Sequence, residues 1–168
     1  MYAMLCTKPD ICFVVGMVSR YQSNPRREHL TAVKHILKYL KRTRDHMLVY
    51  QSESLVPIGY TNSDFQLDKD ARKSTSGFVF TIEGGAISWR NAKQSCIADS
   101  TMEAEYAAAS EAAKESVWLR NFLLDLSVVP SIQSAITLYC DNSRTIANSK
   151  KPRAHKKGRH IERKYHLI

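Results

Sequence analysis

Apolar residues recur with two different periods along the chain, and the period changes near residue 57. Up to about residue 50 they return every three or four positions, which predicts helices. One short apolar helix should span 10–21, after Pro9. A second should begin at Asn24, the cap, with Pro25 at its first position. The apolar stripe of this second helix consists of Leu30, Val33, Ile36, Leu37 and Leu40, and the opposite face carries Arg27, Lys34, Lys38, Lys41 and Arg42. A helical hairpin of this size buries little, so we expect residues 1–50 to be the tail of something larger.

From residue 58 onward the period of two that is typical of strands takes over. We predict strands over 58–64, 77–82 and 86–89, with a hairpin turn at Glu83–Gly85. A long helix (100–126), a mostly apolar strand (136–141) and a short helix capped by Asn142 follow. This order predicts an α/β fold with a mixed sheet, in which a crossover helix leads to the fourth strand. Residues 51–57 are the expected linker, and 58–168 the expected domain.

The helix that opens at Ser100 carries the most informative carboxylate. Ser100 and Glu103 have the spacing of a capping box. The apolar stripe predicted for this helix is Met102, Tyr106, Ala109, Ala113, Val117, Phe122 and Leu126. Glu105 lies about 200° around the helix from Glu103, beside that stripe. Two interpretations stay open for Glu105: a boundary residue with its carboxylate in water, or a metal ligand.

Asp141 ends the last predicted strand, and open α/β sheets bind their ligands at the carboxyl ends of strands. It could instead cap the next helix, although Asn142 could serve that role. Carboxylates that converge at one sheet edge repel each other unless cations lie between them. Mg²⁺ prefers such oxygen ligands, and a pair of ions can activate water for attack on a phosphodiester.

Composition narrows the class of partner. Lys and Arg (25) exceed Asp and Glu (16), giving a net charge of +9 that is concentrated in 26–44 and 150–164 and favours a polyanion such as nucleic acid. No apolar run approaches the ~20 residues of a membrane span, and we expect no membrane partner. The four dispersed cysteines and the absence of a signal-like start predict reduced thiols and an intracellular protein, in the cytoplasm or the nucleus. We expect both tryptophans, Trp89 and Trp118, in the core.

Several ordered motifs carry a resemblance to a known family. They are Gly-Tyr-Thr-Asn-Ser-Asp, Arg-Lys-Ser-Thr-Ser-Gly-Phe-Val-Phe, Gly-Gly-Ala-Ile-Ser-Trp, Ser-Thr-Met-Glu-Ala-Glu-Tyr, Leu-Tyr-Cys-Asp-Asn and Arg-His-Ile-Glu-Arg-Lys-Tyr-His. Together they resemble the ribonuclease H domain of copia-type LTR retrotransposon Pol polyproteins, and residues 1–50 resemble the end of the reverse transcriptase region upstream. The resemblance implies a ribonuclease H-like fold and hydrolysis of the RNA strand of an RNA–DNA hybrid with two Mg²⁺ (or Mn²⁺) ions. It also implies the reverse transcriptase region as a partner.

The same resemblance assigns the site residues. Glu105 and Asp141 match the family's second and third catalytic carboxylates and would bind the metal ions. The first position, an Asp in the family, is Asn62 here. Asp64 has the same strand parity and is a weak substitute, because it lies about 6.6–6.8 Å further along the strand. The family's fourth carboxylate belongs to a closing strand and helix beyond Ile168, so we expect a C-terminally truncated fold, an incomplete ligand set and impaired activity.

The last basic stretch would contact the phosphates of a hybrid. Its candidate residues are Lys150, Lys151, Arg153, Lys156, Lys157, Arg159, His160, Arg163 and Lys164. A solvated tail is the alternative. The spacing of His155, His160, His166 and Cys140 matches no known zinc site.

Three hypotheses follow for the whole chain: a magnesium-dependent ribonuclease H module, a catalytically dead remnant that only binds nucleic acid, or a module kept for protein contacts. The sequence offers no positive sign of the third.

Overall fold

A computed structural model describes residues 2–50, 55–68, 71–127, 132 and 134–150 of the 168-residue chain. The first helices are α1 (Tyr2–Cys6), a 3₁₀ turn (Pro9–Ile11), α2 (Cys12–Ser19) and α3 (Arg27–Arg42). The sheet strands are β1 (Pro57–Asp68), β2 (Lys73–Ile82), β3 (Gly85–Lys93) and β4 (Thr137–Cys140). The remaining helices are α4 (Thr101–Asp125), between β3 and β4, and α5 (Ser143–Ser149).

The four strands form one mixed sheet in the order β3-β2-β1-β4, which confirms the predicted mixed α/β class. β1–β2 and β2–β3 are antiparallel, whereas β1–β4 is parallel. Glu83 and Gly84 have φ angles of 47° and 78°, so the predicted turn between β2 and β3 does use positive φ. The first three strands are longer than predicted, because their ladders continue through polar residues whose alternation is weak. Pro57, assigned to the linker, is the buried first residue of β1.

Helix α4 begins where it was predicted, but it buries a different face. The Ser100 hydroxyl accepts the Glu103 N–H at 3.3 Å, which confirms the cap. The buried residues of α4 are Ala104, Glu105, Tyr106, Ala107, Ala108, Ala109, Ser110, Ala112, Leu119 and Leu123. In the second half Val117, Phe122 and Leu126 are exposed, so the predicted stripe is wrong there. The alanines allow close contact with the sheet, and this contact turns Leu119 and Leu123, rather than the bulkier neighbours, toward Phe80.

Trp118 also departs from the expectation of a core position. Its side chain is 56% exposed and stacks on Phe122 with the ring centroids 5.1 Å apart. Because the helix face that carries both rings is turned away from the sheet, the pair covers the outer surface of α4.

The N-terminal helices correct two further expectations. α3 starts at Arg27 with Arg26 as its cap, because the imidazole of His29 accepts the Arg26 N–H at 3.0 Å and fixes the first turn there. Asn24 and Pro25 therefore precede the helix. The apolar stripe of α3 is only partly covered, since Leu30 and Leu37 are 53% and 59% exposed. α2 contacts α3 but is too short to cover the whole stripe.

The N-terminal helices and α4 pack on opposite faces of the sheet. Phe80 contacts the α4 leucines, whereas its neighbour Val79 pairs with Trp89 on the other face. The Trp89 indole donates to the Met4 carbonyl at 2.6 Å. The Arg20 guanidinium donates to the Thr75 hydroxyl at 2.9 Å. Residues 2–50 thus contact the sheet directly. The division of the chain at a linker stays a prediction, apart from Pro57, which belongs to β1.

Candidate metal centre

The parallel pair β1–β4 brings two of the sequence-predicted positions to one edge of the sheet. Thr61 and Cys140 form the last register pair between these strands. Asn62 and Asp141 each follow that pair by one residue, on strands that lie about 4.7–4.9 Å apart. Both positions therefore lie side by side where the pairing of β1 with β4 ends, although Asn62 stays paired with Gly77 of β2.

Glu105 approaches this edge from α4 and is nearly enclosed. The residue is only 6% exposed, so the interpretation of Glu105 as a boundary residue with its carboxylate in water is wrong. Glu105 Oε1 accepts the backbone N–H of Ser63 at 3.0 Å, and Asn62 Oδ1 accepts the same N–H at 2.6 Å. Asn62 and Glu105 therefore lie close together, because both accept the same backbone N–H group. Glu105 Oε2 is buried and has no hydrogen-bond partner among the described residues.

The surroundings of Glu105 disfavour its charged form. Burial is the largest cause that raises its pKa above the usual value, and the Asp141 and Asp64 carboxylates raise it further. The Ser63 N–H opposes them by stabilising the anion. A buried carboxylate with repelling neighbours and one unpartnered oxygen can be satisfied by a proton or by a cation.

Asp141 completes a cluster with Glu105 and a third residue. One ligand atom each from Glu105, Cys140 and Asp141 lies within 4.8 Å of the others. Asp141 is exposed and leaves capping to Asn142, whose side chain accepts the Arg144 and Thr145 N–H groups at 3.0 and 3.1 Å. The alternative role of Asp141 as a helix cap is therefore wrong, and its carboxylate stays available at the sheet edge.

Asp64 lies further along β1 and does not join this cluster within the described residues. It pairs with Thr75 of β2 and is exposed. Its negative charge raises the pKa of Glu105, by less than that of Asp141 does. As a replacement for Asn62 it stays a prediction.

Two supporting residues escaped the sequence reasoning. The buried Gln94 amide donates to the Ser76 hydroxyl at 2.8 Å and to the Ala104 carbonyl at 2.9 Å, which connects the sheet to α4 beside Glu105. The buried Thr145 hydroxyl donates to the Met102 carbonyl at 3.1 Å and fixes α5 to α4. Nothing in the period of the sequence marks Gln94. Among the sequence-based hypotheses, Cys140 appears only in a zinc site with His155, His160 and His166, and not beside Glu105 and Asp141.

The candidate nucleic-acid interface is described only at its first residue. Lys150 is exposed at the carboxyl end of α5. The other candidates, Lys151, Arg153, Lys156, Lys157, Arg159, His160, Arg163 and Lys164, lie outside the described residues, as do His155 and His166.

Cys140 is a free thiol, as are Cys6, Cys12 and Cys96. No helix in the described part of the chain combines the length and apolarity needed to cross a bilayer.

The fold and the cluster define a mixed α/β domain with an acidic site at the carboxyl edge of its sheet. The chain is 46% identical, over all of its 168 residues, to the retrovirus-related Pol polyprotein from transposon TNT 1-94 of Nicotiana tabacum. It is 31% identical over 163 residues to the Pol polyprotein from transposon RE1 of Arabidopsis thaliana. The chain belongs to this family of retrotransposon Pol polyproteins.

The match covers a small part of those relatives. The chain spans 12% and 11% of the two polyproteins' lengths. A third relative, secreted RxLR effector protein 161 of Plasmopara viticola, is 41% identical over 120 residues, which are 71% of this chain and 84% of that protein. No family model matches the chain, and no solved structure gives a significant match.

Proposed function

We propose that this retroelement-derived chain is a copia-type ribonuclease H-like module that binds an RNA–DNA hybrid. In the intact family such a module hydrolyses the RNA strand by two-metal catalysis, and this copy is impaired. The observation that carries the proposal is the buried Glu105 carboxylate, whose Oε2 has no hydrogen-bond partner among the described residues and which clusters with Asp141 where the pairing of β1 with β4 ends.

The residues present suit one divalent cation better than two. Glu105 Oε2 lacks a hydrogen-bond donor among the described residues, and Asp141 is open to solvent. The carboxylate oxygens of Glu105 and Asp141 are hard ligands, which Mg²⁺ and Mn²⁺ prefer. Asn62 contributes a neutral amide, and its oxygen already accepts the Ser63 N–H. The site therefore has one negative charge fewer than three carboxylates would supply, which weakens the binding of a second ion.

Other groups of the chain would position the metal ligands and bind the hybrid. When bound, the metal ions supply a water nucleophile and stabilise the charge on the departing oxygen. The Ser63 N–H orients the Glu105 carboxylate, and Gln94 keeps α4 against the strand that carries Ser63. Lys150, together with the basic residues after it, would contact hybrid phosphates without reading the base sequence.

Cleavage of a labelled RNA–DNA hybrid in Mg²⁺ or Mn²⁺ tests the proposal. We expect Asn62→Asp to cut at least about tenfold faster than the parent chain, since a charged ligand replaces an amide. Glu105→Gln should abolish cutting in both backgrounds. Glu103→Gln, on the same helix but in the cap, is the matched control and should retain it. Cutting that survives Glu105→Gln would refute the assigned site.

A binding module without chemistry is the second candidate, and Asn62 favours it because the amide sits where a carboxylate is needed. We expect the parent chain to bind hybrid with an affinity that falls steeply with salt, since each neutralised phosphate releases counterions. If Asn62→Asp restores no cutting, even in a chain extended by the segment that follows in the polyproteins, this candidate replaces the first. A hybrid affinity independent of salt would exclude phosphate contacts in both.

A further inference from the structure

The cluster at the sheet edge contains a thiol as well as two carboxylates. Cys140 Sγ and one carboxylate oxygen each from Glu105 and Asp141 are mutually within 4.8 Å. Sulfur is a poor ligand for Mg²⁺, which binds through oxygen, whereas thiolates select softer cations such as Zn²⁺. The proposed nuclease function gives this thiol no role.

The three side chains differ in exposure in a way that suits a bound ion. Glu105 lies at the closed end, where its Oε2 is buried and unpartnered among the described residues. Cys140 is half-buried, and Asp141 is exposed at the open end. An ion bound at Cys140 and Asp141 would satisfy a buried oxygen that the described residues leave without a donor.

The spacing of these atoms is close to what tetrahedral coordination needs. Zinc bonds of about 2.0–2.3 Å place neighbouring ligand atoms about 3.3–3.8 Å apart, so each pair must close by about 1–1.5 Å at most. Rotation of the exposed Asp141 side chain can supply much of this closure. Three protein ligands leave the fourth tetrahedral position to water.

We propose that Glu105, Cys140 and Asp141 bind one thiophilic divalent cation, Zn²⁺ or Cd²⁺, which occupies the site in preference to Mg²⁺. On binding, the Cys140 S–H bond breaks, a sulfur–metal bond forms and the proton passes to the buffer. The three anionic ligands and the affinity order of divalent metals both favour Zn²⁺ over Mg²⁺. The binding itself goes beyond the proposed function, and only its effect on cleavage depends on that function.

Titration of the metal-free full chain with Cd²⁺ tests the binding directly, through the ultraviolet charge-transfer band of a sulfur–cadmium bond. We expect one site, with its band lost in Cys140→Ser and its affinity at least about tenfold weaker in Glu105→Gln and Asp141→Asn. Cys6→Ser is the matched control, because Cys6 is exposed in α1 and should leave the site intact. Circular dichroism verifies that each variant is folded.

Two outcomes would overturn the proposal: a band that persists in Cys140→Ser, or one that disappears in Cys6→Ser. A band that depends on Cys140 but is displaced by equimolar Mg²⁺ would overturn the stated preference. Failure of the nuclease proposal is visible separately, because a chain that never cuts hybrid can still show the Cys140-dependent band. If it does cut, Cd²⁺ should inhibit the parent chain at concentrations that spare Cys140→Ser.

Discussion

The Glu105 carboxylate accepts the Ser63 backbone N–H at 3.0 Å, across 42 residues of sequence. This bond attaches the first turns of α4 to β1 one residue after Asn62. It places the only buried acid among the residues that the structure describes beside the exposed Asp141. The Oε1 atom of Glu105 accepts this hydrogen bond, and its Oε2 atom can bind a proton or a cation.

Glu105 should make the stability of the metal-free chain fall as the pH rises. Burial first, and then the neighbouring carboxylates, raise its pKa above 4.5, so the folded state holds the proton more tightly than the unfolded chain does. That contribution is complete below the unfolded pKa and is lost as the pH rises through the folded pKa. Glu105→Gln stays neutral and so carries no buried charge at any pH. We expect it to gain about 1–3 kcal/mol over the parent toward neutral pH, as measured by urea unfolding.

Glu103→Gln is the control for that experiment, because it removes the same charge from a half-buried position in the helix cap. Glu105→Gln should gain more stability with rising pH than Glu103→Gln does, because Glu105 is the buried one of the two carboxylates. A Glu105→Gln curve parallel to that of the parent would contradict the assigned pKa direction.

Gln94 should be a positioning residue for the metal centre. Its amide donates to Ser76 and Ala104, so Gln94→Met leaves two buried acceptors without that donor and should cost about 1–3 kcal/mol in the free energy of unfolding. Gln22→Met at an exposed position should change stability by less than about 0.5 kcal/mol. Cadmium affinity should fall in Gln94→Met and stay unchanged in Gln22→Met. A purely structural role for Gln94, distant from the cluster, would leave the cadmium affinity unchanged in both variants.

Gly59 should tolerate no side chain. An added Cβ would lie 2.5 Å from Phe80 Cε1 and 2.9 Å from Leu138 Cδ1, and the Phe80 ring is fully buried. We expect Gly59→Ala to lower the free energy of unfolding by about 1–3 kcal/mol. At Gly77, also in the sheet, the nearest atom would be 3.7 Å away, so Gly77→Ala should be nearly neutral. Equal thermal shifts in the two variants would contradict this packing.

The contact between the N-terminal helices and the sheet should contribute to stability through Trp89. Trp89→Phe removes the N–H that Met4 accepts, and should cost about 0.5–1.5 kcal/mol in chemical unfolding. Trp118→Phe, at a 56% exposed site, should change it by less than about 0.5 kcal/mol. If Trp89→Phe were as neutral as Trp118→Phe, the bond from Trp89 to Met4 would make no contribution to stability.

The parts of the fold that sequence reasoning predicted are those set by local chemistry. Ser100 and Asn142 were both recognised as caps, because a cap depends on groups within three residues. The buried face of α4 was wrong beyond Ala113, since an alanine-rich helix carries apolar residues on several sides and only the sheet selects Leu119 and Leu123. The burial of Glu105 depends on Ser63, which no local period could indicate.

The parallel pairing of β1 with β4 has a consequence for the order of folding. β1, β2 and β3 pair with sequence neighbours, so their contacts close short loops and can form early. β4 pairs with β1 across the crossover through α4, so this contact closes a much longer loop. We therefore expect Asp141 to join Glu105 in the last step of assembly, which would make cation binding at this edge a reporter of the fully folded chain.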